Sequence, residues 1–117
     1  MDYELLLKAA NSAGLKAGNA CKADVFQWTT GDGNYEEYPE CGCAWVVTRE
    51  HGSGAFVKYL KNVQHNTYKD SFYKGWNVET EMPDYGQAWQ PKYEYCKAFV
   101  KVLNMYDIKA TAHYYLT

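Results

Sequence analysis

An uncharged run of strand-forming residues, Cys41-Gly42-Cys43-Ala44-Trp45-Val46-Val47-Thr48, lies near the middle of this chain and constrains its fold more than any other segment. Side chains alternate across a strand, so Cys43, Trp45 and Val47 face one way and Ala44, Val46 and Thr48 the other. Both sets are largely apolar, which is the pattern of a central strand covered on at least one face. Gly42 suits a bulge where the strand begins. A sheet must therefore form around this segment, and helices must cover it.

The rest of the chain supplies both. Asp2 can cap a helix from Tyr3 to about Ala20, with Leu5, Leu6, Ala9, Ala13 and Ala17 as its apolar stripe. Ala10, Gly14 and Gly18 form a flat strip on it that would admit another backbone, including that of a second copy. The two glycines each cost roughly 1 kcal/mol against Ala, so a break near Gly14 is expected. Val25–Thr30 reads as a strand ending in the turn Gly31-Asp32-Gly33-Asn34, with a return over Tyr35–Tyr38 stopped by Pro39. Ser53 can cap a helix carrying Phe56, Tyr59, Leu60 and Val63. Trp76–Glu81 alternates as a strand with one wet face. Pro91 fits the first turn of a third helix, starting near Ala88 or Trp89 and carrying Tyr95, Cys96, Phe99, Val100, Val102, Leu103 and Tyr106. Asp107 marks its exit, and Lys109–Leu116 reads as the last strand. The expected fold is a two-layer α+β or α/β domain spanning 1–117. It has a mixed sheet of about four strands, and three helices mainly on one face joined by right-handed crossovers.

Composition narrows the function. With 117 residues the chain fits one domain, and its 47% apolar content supports a packed core. Twelve Tyr, four Trp and four Phe are many for this length, and such amphipathic rings suit half-exposed surfaces and interfaces. A net charge of −2 gives no global attraction to nucleic acid or anionic membrane. Lys58, Lys61, Lys69 and Lys74 are the nearest approach to a basic patch. No leader-like start and no apolar run of membrane-spanning length are visible, so free thiols at Cys21, Cys41, Cys43 and Cys96 and a reducing cytoplasm are expected.

Several segments together carry a resemblance. Residues 14–21 (GLKAGNAC), 41–47 (CGCAWVV), 55–61 (AFVKYLK), 85–103 (YGQAWQPKYEYCKAFVKVL) and 108–112 (IKATA) are similar, in the same order, to a family of small accessory proteins of tailed phages and prophages. The likeness weakens over 22–40 and 62–75. Cys43 replaces a Phe of the family pattern, which implies altered packing. Ala88 replaces a Ser, which implies a weaker cap on the third helix. The resemblance implies a phage origin, the cytoplasm of the infected host and a host-facing role, with no activity attached.

Reactive constellations are sparse. Cys41-x-Cys43 with His51, His65 or His113 lacks the knuckle geometry that zinc sites draw from Cys-x-x-Cys, so no metal and no cofactor are expected. A Cys/His nucleophilic pair of Cys41 or Cys43 with His113 comes with no oxyanion-hole motif. The turn at 31–34 lacks the Gly-Lys-Ser/Thr ending of a phosphate loop and the ligand series of a calcium loop. His51-Gly52-Ser53-Gly54 is read as ordinary capping rather than an anion site. Glu79 and Glu81 share a strand face but no evident cleft.

The outward face of the last two strands is the strongest candidate surface. It would carry Asn77, Glu79 and Glu81 beside Thr111, His113 and Tyr115, with Tyr85, Gln87 and Trp89 in the adjoining loop. These residues suit protein recognition better than nucleic acid, because the accompanying charges are acidic and Arg49 is the one arginine. The expected function is non-enzymatic binding of a host or defence-system protein, with homodimerisation also open. Nucleic-acid association stands as the alternative, and a small enzyme using Cys43 or His113 as the third reading.

Overall fold

The computed structural model describes residues 1–22 and 40–117 in full, and the backbone of 25–29 and 35–39. Its elements are α1 (Tyr3–Ala20), β1 (Val25–Thr29), β2 (Tyr35–Pro39), β3 (Gly42–Thr48), α2 (Ala55–Val63), β4 (Trp76–Val78), α3 (Trp89–Met105) and β5 (Ala110–Leu116), with a short 3-10 turn over Tyr85–Gln87. The expected turn at 31–34 lies outside the described residues.

The predicted central strand is central. β3 lies between β4 and β5 in a three-stranded sheet, and both neighbours run antiparallel to it. This corrects the expected mixed sheet of about four strands. β1 and β2 pair with each other as a separate two-stranded ribbon, so they add nothing to the main sheet. Because β4 and β5 both oppose β3, they run parallel to one another across it, and α3 carries the chain from one sheet edge to the other. The β3–α2–β4 step joins antiparallel neighbours, so it is not the crossover expected from the order of elements.

Helices gather on the face that presents Ala44, Val46, Val78 and Ala110. These side chains pack with Phe56 and Leu60 of α2, with Tyr95, Phe99 and Leu103 of α3, and with Leu6 and Ala10 of α1 in one cluster. Leu60, Leu103 and Tyr95 are fully buried, and each large apolar side chain removed from water contributes roughly 1.5–3 kcal/mol. The α+β architecture therefore follows the expected layering on one face.

α1 runs unbroken through both glycines, contrary to the expected break. A Cβ at Gly14 would stand 2.7 Å from the Tyr95 ring, so the missing side chain is what lets α3 approach. At Gly18 the ring of Tyr85 fills the notch. Close packing between helices thus offsets the propensity cost, and the flat strip is occupied from within the chain. That removes the strip as a surface for a second copy. Asp2 caps the helix as expected, its carboxylate accepting the Leu5 N–H at 3.1 Å.

Two other local expectations change. Gly54, not Ser53, is the N-cap of α2, because Ser53 turns its N–H and hydroxyl to His51 Nδ1 at 3.1 and 2.7 Å. β4 stops at Val78 instead of Glu81, and just beyond it the Glu79 N–H, on the side away from β3, is bound at 2.7 Å by the Gln64 side-chain oxygen. α3 begins at Trp89 with no side-chain cap from Ala88, as that residue implies.

Candidate binding surface

The sheet face turned away from the helices carries Cys43, Trp45 and Val47 of β3 and Thr111, His113 and Tyr115 of β5. Register places Cys43 opposite Tyr115, Trp45 opposite His113 and Val47 opposite Thr111. Directly opposed side chains in an antiparallel pair are close enough to touch. The Trp45 ring accordingly lies 5.8 Å from His113 and meets Tyr115 edge-on at 5.7 Å.

A turn over 70–75 covers part of this face. The Asp70 carboxylate accepts the N–H groups of Phe72 and Tyr73, both at 2.9 Å, and the Asp70 N–H donates to the Gly75 carbonyl at 2.6 Å. Lys74 takes a left-handed conformation (φ 53°) to close the turn. Gly75 can then lie flat on the sheet, where any side chain would strike Val47 and the Thr48 carbonyl. Val47 is fully buried as a result. The turn delivers the Tyr73 ring in parallel contact with His113, with centroids 3.5 Å apart and planes inclined by 17°. Phe72, beside it, is left 87% exposed.

The electrostatics of the cluster follow from this packing. The Tyr73 N–H, reinforced by that of Phe72, holds the Asp70 carboxyl below its ordinary range. Burial lowers the pKa of His113, the Arg49 charge lowers it further, and Asp70 opposes both. His113 Nε2 pairs with the Thr111 hydroxyl at 2.8 Å. The hydrogen bond to Cys43 pushes the Tyr115 phenol up. The Trp45 indole nitrogen is enclosed without a hydrogen bond of standard geometry, although the Asp70 carboxyl lies near enough to be influenced by its N–H. His113 and Cys43 thus each have another partner and stand diagonally across the ladder, with Trp45 opposite His113 and Tyr115 opposite Cys43. Burial pushes the Cys96 thiol up to about 12, which makes it a core residue.

The residues singled out in the sequence distribute over three places. Thr111, His113 and Tyr115 lie together on the outer face. Asn77 shares that face, opposite Val47, but stands one strand away from Thr111 because β3 separates β4 from β5, while Glu79 and Glu81 lie beyond the end of β4. Asn77 accepts the Tyr68 N–H at 2.6 Å and donates to the Asn66 carbonyl at 2.9 Å. Glu79 accepts the His65 and Asn66 N–H groups at 3.2 and 3.1 Å, and the Asn66 contact leads in lowering its pKa. Glu81 reaches Asn11 at 3.4 Å, beside a shallow groove of about 280 Å³ that Glu4, Tyr59 and Phe99 also line. Tyr85 and Trp89 belong to the helical side. Tyr85 packs on Gly18, Trp89 stacks on Tyr114 at 4.4 Å, and Gln87 is exposed at a left-handed position (φ 69°).

Sequence reading overlooked Asp70, Phe72 and Tyr73, which complete the outer face. The available signal was Asp70 two and three residues ahead of two aromatics and five ahead of Gly75, a spacing that an Asx-type turn requires. Lys58, Lys61, Lys69 and Lys74 are exposed. Lys61 stands 4.5 Å above the Trp76 ring and donates to the Gly52 carbonyl at 3.3 Å, while Gly52 itself lies against that ring.

Among the described residues, no three His, Cys, Asp or Glu side chains converge as a metal site would need, and no helix is long and apolar enough to cross a membrane. The chain matches no protein-family model, no curated protein and no solved structure.

Proposed function

We propose that this chain is a non-enzymatic binding module that docks on a protein of a bacterial host or its defence systems, in the manner of a small phage accessory protein acting in the host cytoplasm. The observation that carries this reading is Phe72, 87% exposed on a turn pinned by Asp70 beside the Tyr73–His113–Trp45–Tyr115 cluster. An exposed aromatic on a rigid support loses little conformational freedom on binding, which is the character of an interface anchor. The half-buried rings around it supply apolar area with polar tips at the rim. The phage assignment rests on the resemblance of the segments in 14–21, 41–47, 55–61, 85–103 and 108–112.

The test is affinity capture from bacterial lysate, treated with nuclease, using the wild-type chain and Phe72→Ser. A stoichiometric protein retained by wild type and lost with Phe72→Ser supports the reading. A partner held equally by both proteins contradicts the assigned surface. Recovery of nucleic acid, with everything lost after nuclease, would favour a nucleic-acid role instead. The Lys61–Trp76 contact speaks against the latter, since one ring face is already taken by Lys61.

A further inference from the structure

The two free sides of the sheet differ in how their backbone groups are used. On β5 the residues whose N–H and C=O point toward β3 can be identified from the flanking bonds. The Arg49 N–H donates to the Lys109 carbonyl at 2.7 Å, and the Thr117 N–H donates to the Cys41 carbonyl at 3.2 Å. Lys109 and Thr117 therefore face β3, and by strand alternation so do Thr111, His113 and Tyr115. Ala110, Ala112, Tyr114 and Leu116 present their backbone groups on the opposite side. The Ala110 N–H there is bound by Asn104 Oδ1 at 3.2 Å. Among the described residues, nothing pairs with the N–H groups of Ala112, Tyr114 and Leu116 on that side.

This edge lacks the devices that normally keep a strand from pairing. Ala110–Leu116 contains no Lys, Arg, Asp, Glu, Pro or Gly, and Tyr114, Tyr115 and Leu116 are 43%, 52% and 49% exposed. A regular, uncharged, exposed edge of this kind is a template for another strand.

We infer that β5 pairs antiparallel with β5 of a second copy of this chain, about a two-fold axis at Tyr114, to give one continuous six-stranded sheet. The register follows from the free groups. With Tyr114 opposite Tyr114 of the second copy, Ala112 opposes Leu116 and Leu116 opposes Ala112. Each of the three free N–H groups then meets a free carbonyl, and the Asn104–Ala110 bond stays intact. Side chains agree with this register. On the helical face a small Ala112 meets a large Leu116, and on the outer face His113 meets Tyr115, extending the aromatic row from Trp45. No like charges are brought together, so the strand is complementary to itself in donors, shape and charge. The bonds that make the pair come from backbone groups on the side of β5 away from β3, and Phe72 takes no part in them.

The test is light scattering with size-exclusion chromatography across a concentration series for wild type, Tyr114→Pro and Leu116→Lys, with folding checked by circular dichroism. Proline at 114 removes the N–H at the axis, a group the monomer leaves unpaired, so the central pair of bonds is lost without touching the β3 ladder. Wild type is expected at twice the 13.5 kDa chain mass, and Tyr114→Pro at the single-chain mass. If loss of the Trp89 stack unfolds Tyr114→Pro, Leu116→Lys decides, with association weakened about tenfold by an edge charge. A wild-type chain that stays monomeric throughout the series overturns the inference. So does a dimer that persists undiminished in the folded variants.

Discussion

The β4 and β5 edges of one small sheet show opposite solutions to the same problem. Beyond β4, the chain returns and satisfies the free backbone groups. The Asn77 N–H reaches the Tyr68 carbonyl at 3.1 Å, and Gln64 donates to the Asn77 carbonyl at 3.2 Å and to Thr67 at 3.0 Å while accepting from Glu79. Beyond β5, backbone groups of Ala112, Tyr114 and Leu116 are left for another strand. The polar residues that a sequence reader would place on a recognition face, Asn77 and Glu79, are spent closing the first edge. The bland residues Ala112 and Leu116 define the second. Polarity on an edge can mean closure, and its absence can mean opportunity.

This contrast can be broken in graded ways. The largest effect belongs to Gly75, which seats the 70–75 turn on β3. Gly75→Ala drives a methyl into Val47 and the Thr48 carbonyl, and a loss of about 3 kcal/mol in urea unfolding is expected. Next is Gln64→Ala on the closed edge, which strands the Glu79 N–H and the Asn77 carbonyl. Both groups can be reached by water, so a cost of about 1 kcal/mol should appear in the same assay.

Acid should act on the outer face between the edges. His113 has a folded pKa below the ordinary 6.5, so the unfolded chain binds its proton first. Stability is therefore greater above that value and falls as pH drops from 6.5 toward the folded pKa. The lowered Asp70 pKa adds stability above its unfolded value that is lost as pH falls through the folded one. A pH series of thermal unfolding should slope this way, and His113→Gln should flatten its upper part. The smallest effect is at the open edge. Leu116→Lys should leave monomer stability within about 0.5 kcal/mol of wild type, because its side chain is half-exposed.

Much of the fold was legible because hydrophobic period and turn chemistry act locally. The extents of α1 and α3, and the central place of β3, follow from residue spacing alone. The number of strands in the sheet was not legible, since β1 and β2 read as strands whether or not they join β3. Nor was the end of β4. The Trp76–Glu81 alternation continues smoothly past Val78, where the ladder to β3 ends and a distant Gln64 holds the outward Glu79 N–H. The fate of Gly14 and Gly18 also depended on a partner far away in sequence, since an Ala/Gly strip looks the same whether α3 or another chain fills it.

The candidate surface was half legible. Thr111, His113 and Tyr115 were placed on one face by strand alternation, which needs no long-range information. Their neighbours were misassigned because sheet order decides them, and β3 rather than β4 lies beside β5. Phe72 and Tyr73 come from a turn whose path is set by Asp70 and by the bare backbone of Gly75 against Val47. That contact spans the chain and leaves only a weak local mark.

Hydrogen exchange of the backbone amides, followed residue by residue at high and low protein concentration, tests the contrast between the two edges most directly. The account predicts that the Asn77 and Tyr68 amides are protected at every concentration. The amides of Ala112, Tyr114 and Leu116 should be protected at high concentration and exchange rapidly on dilution, while those of Thr111, His113 and Tyr115 hold. Protection of Ala112, Tyr114 and Leu116 that does not change on dilution, or fast exchange at every concentration, would contradict it.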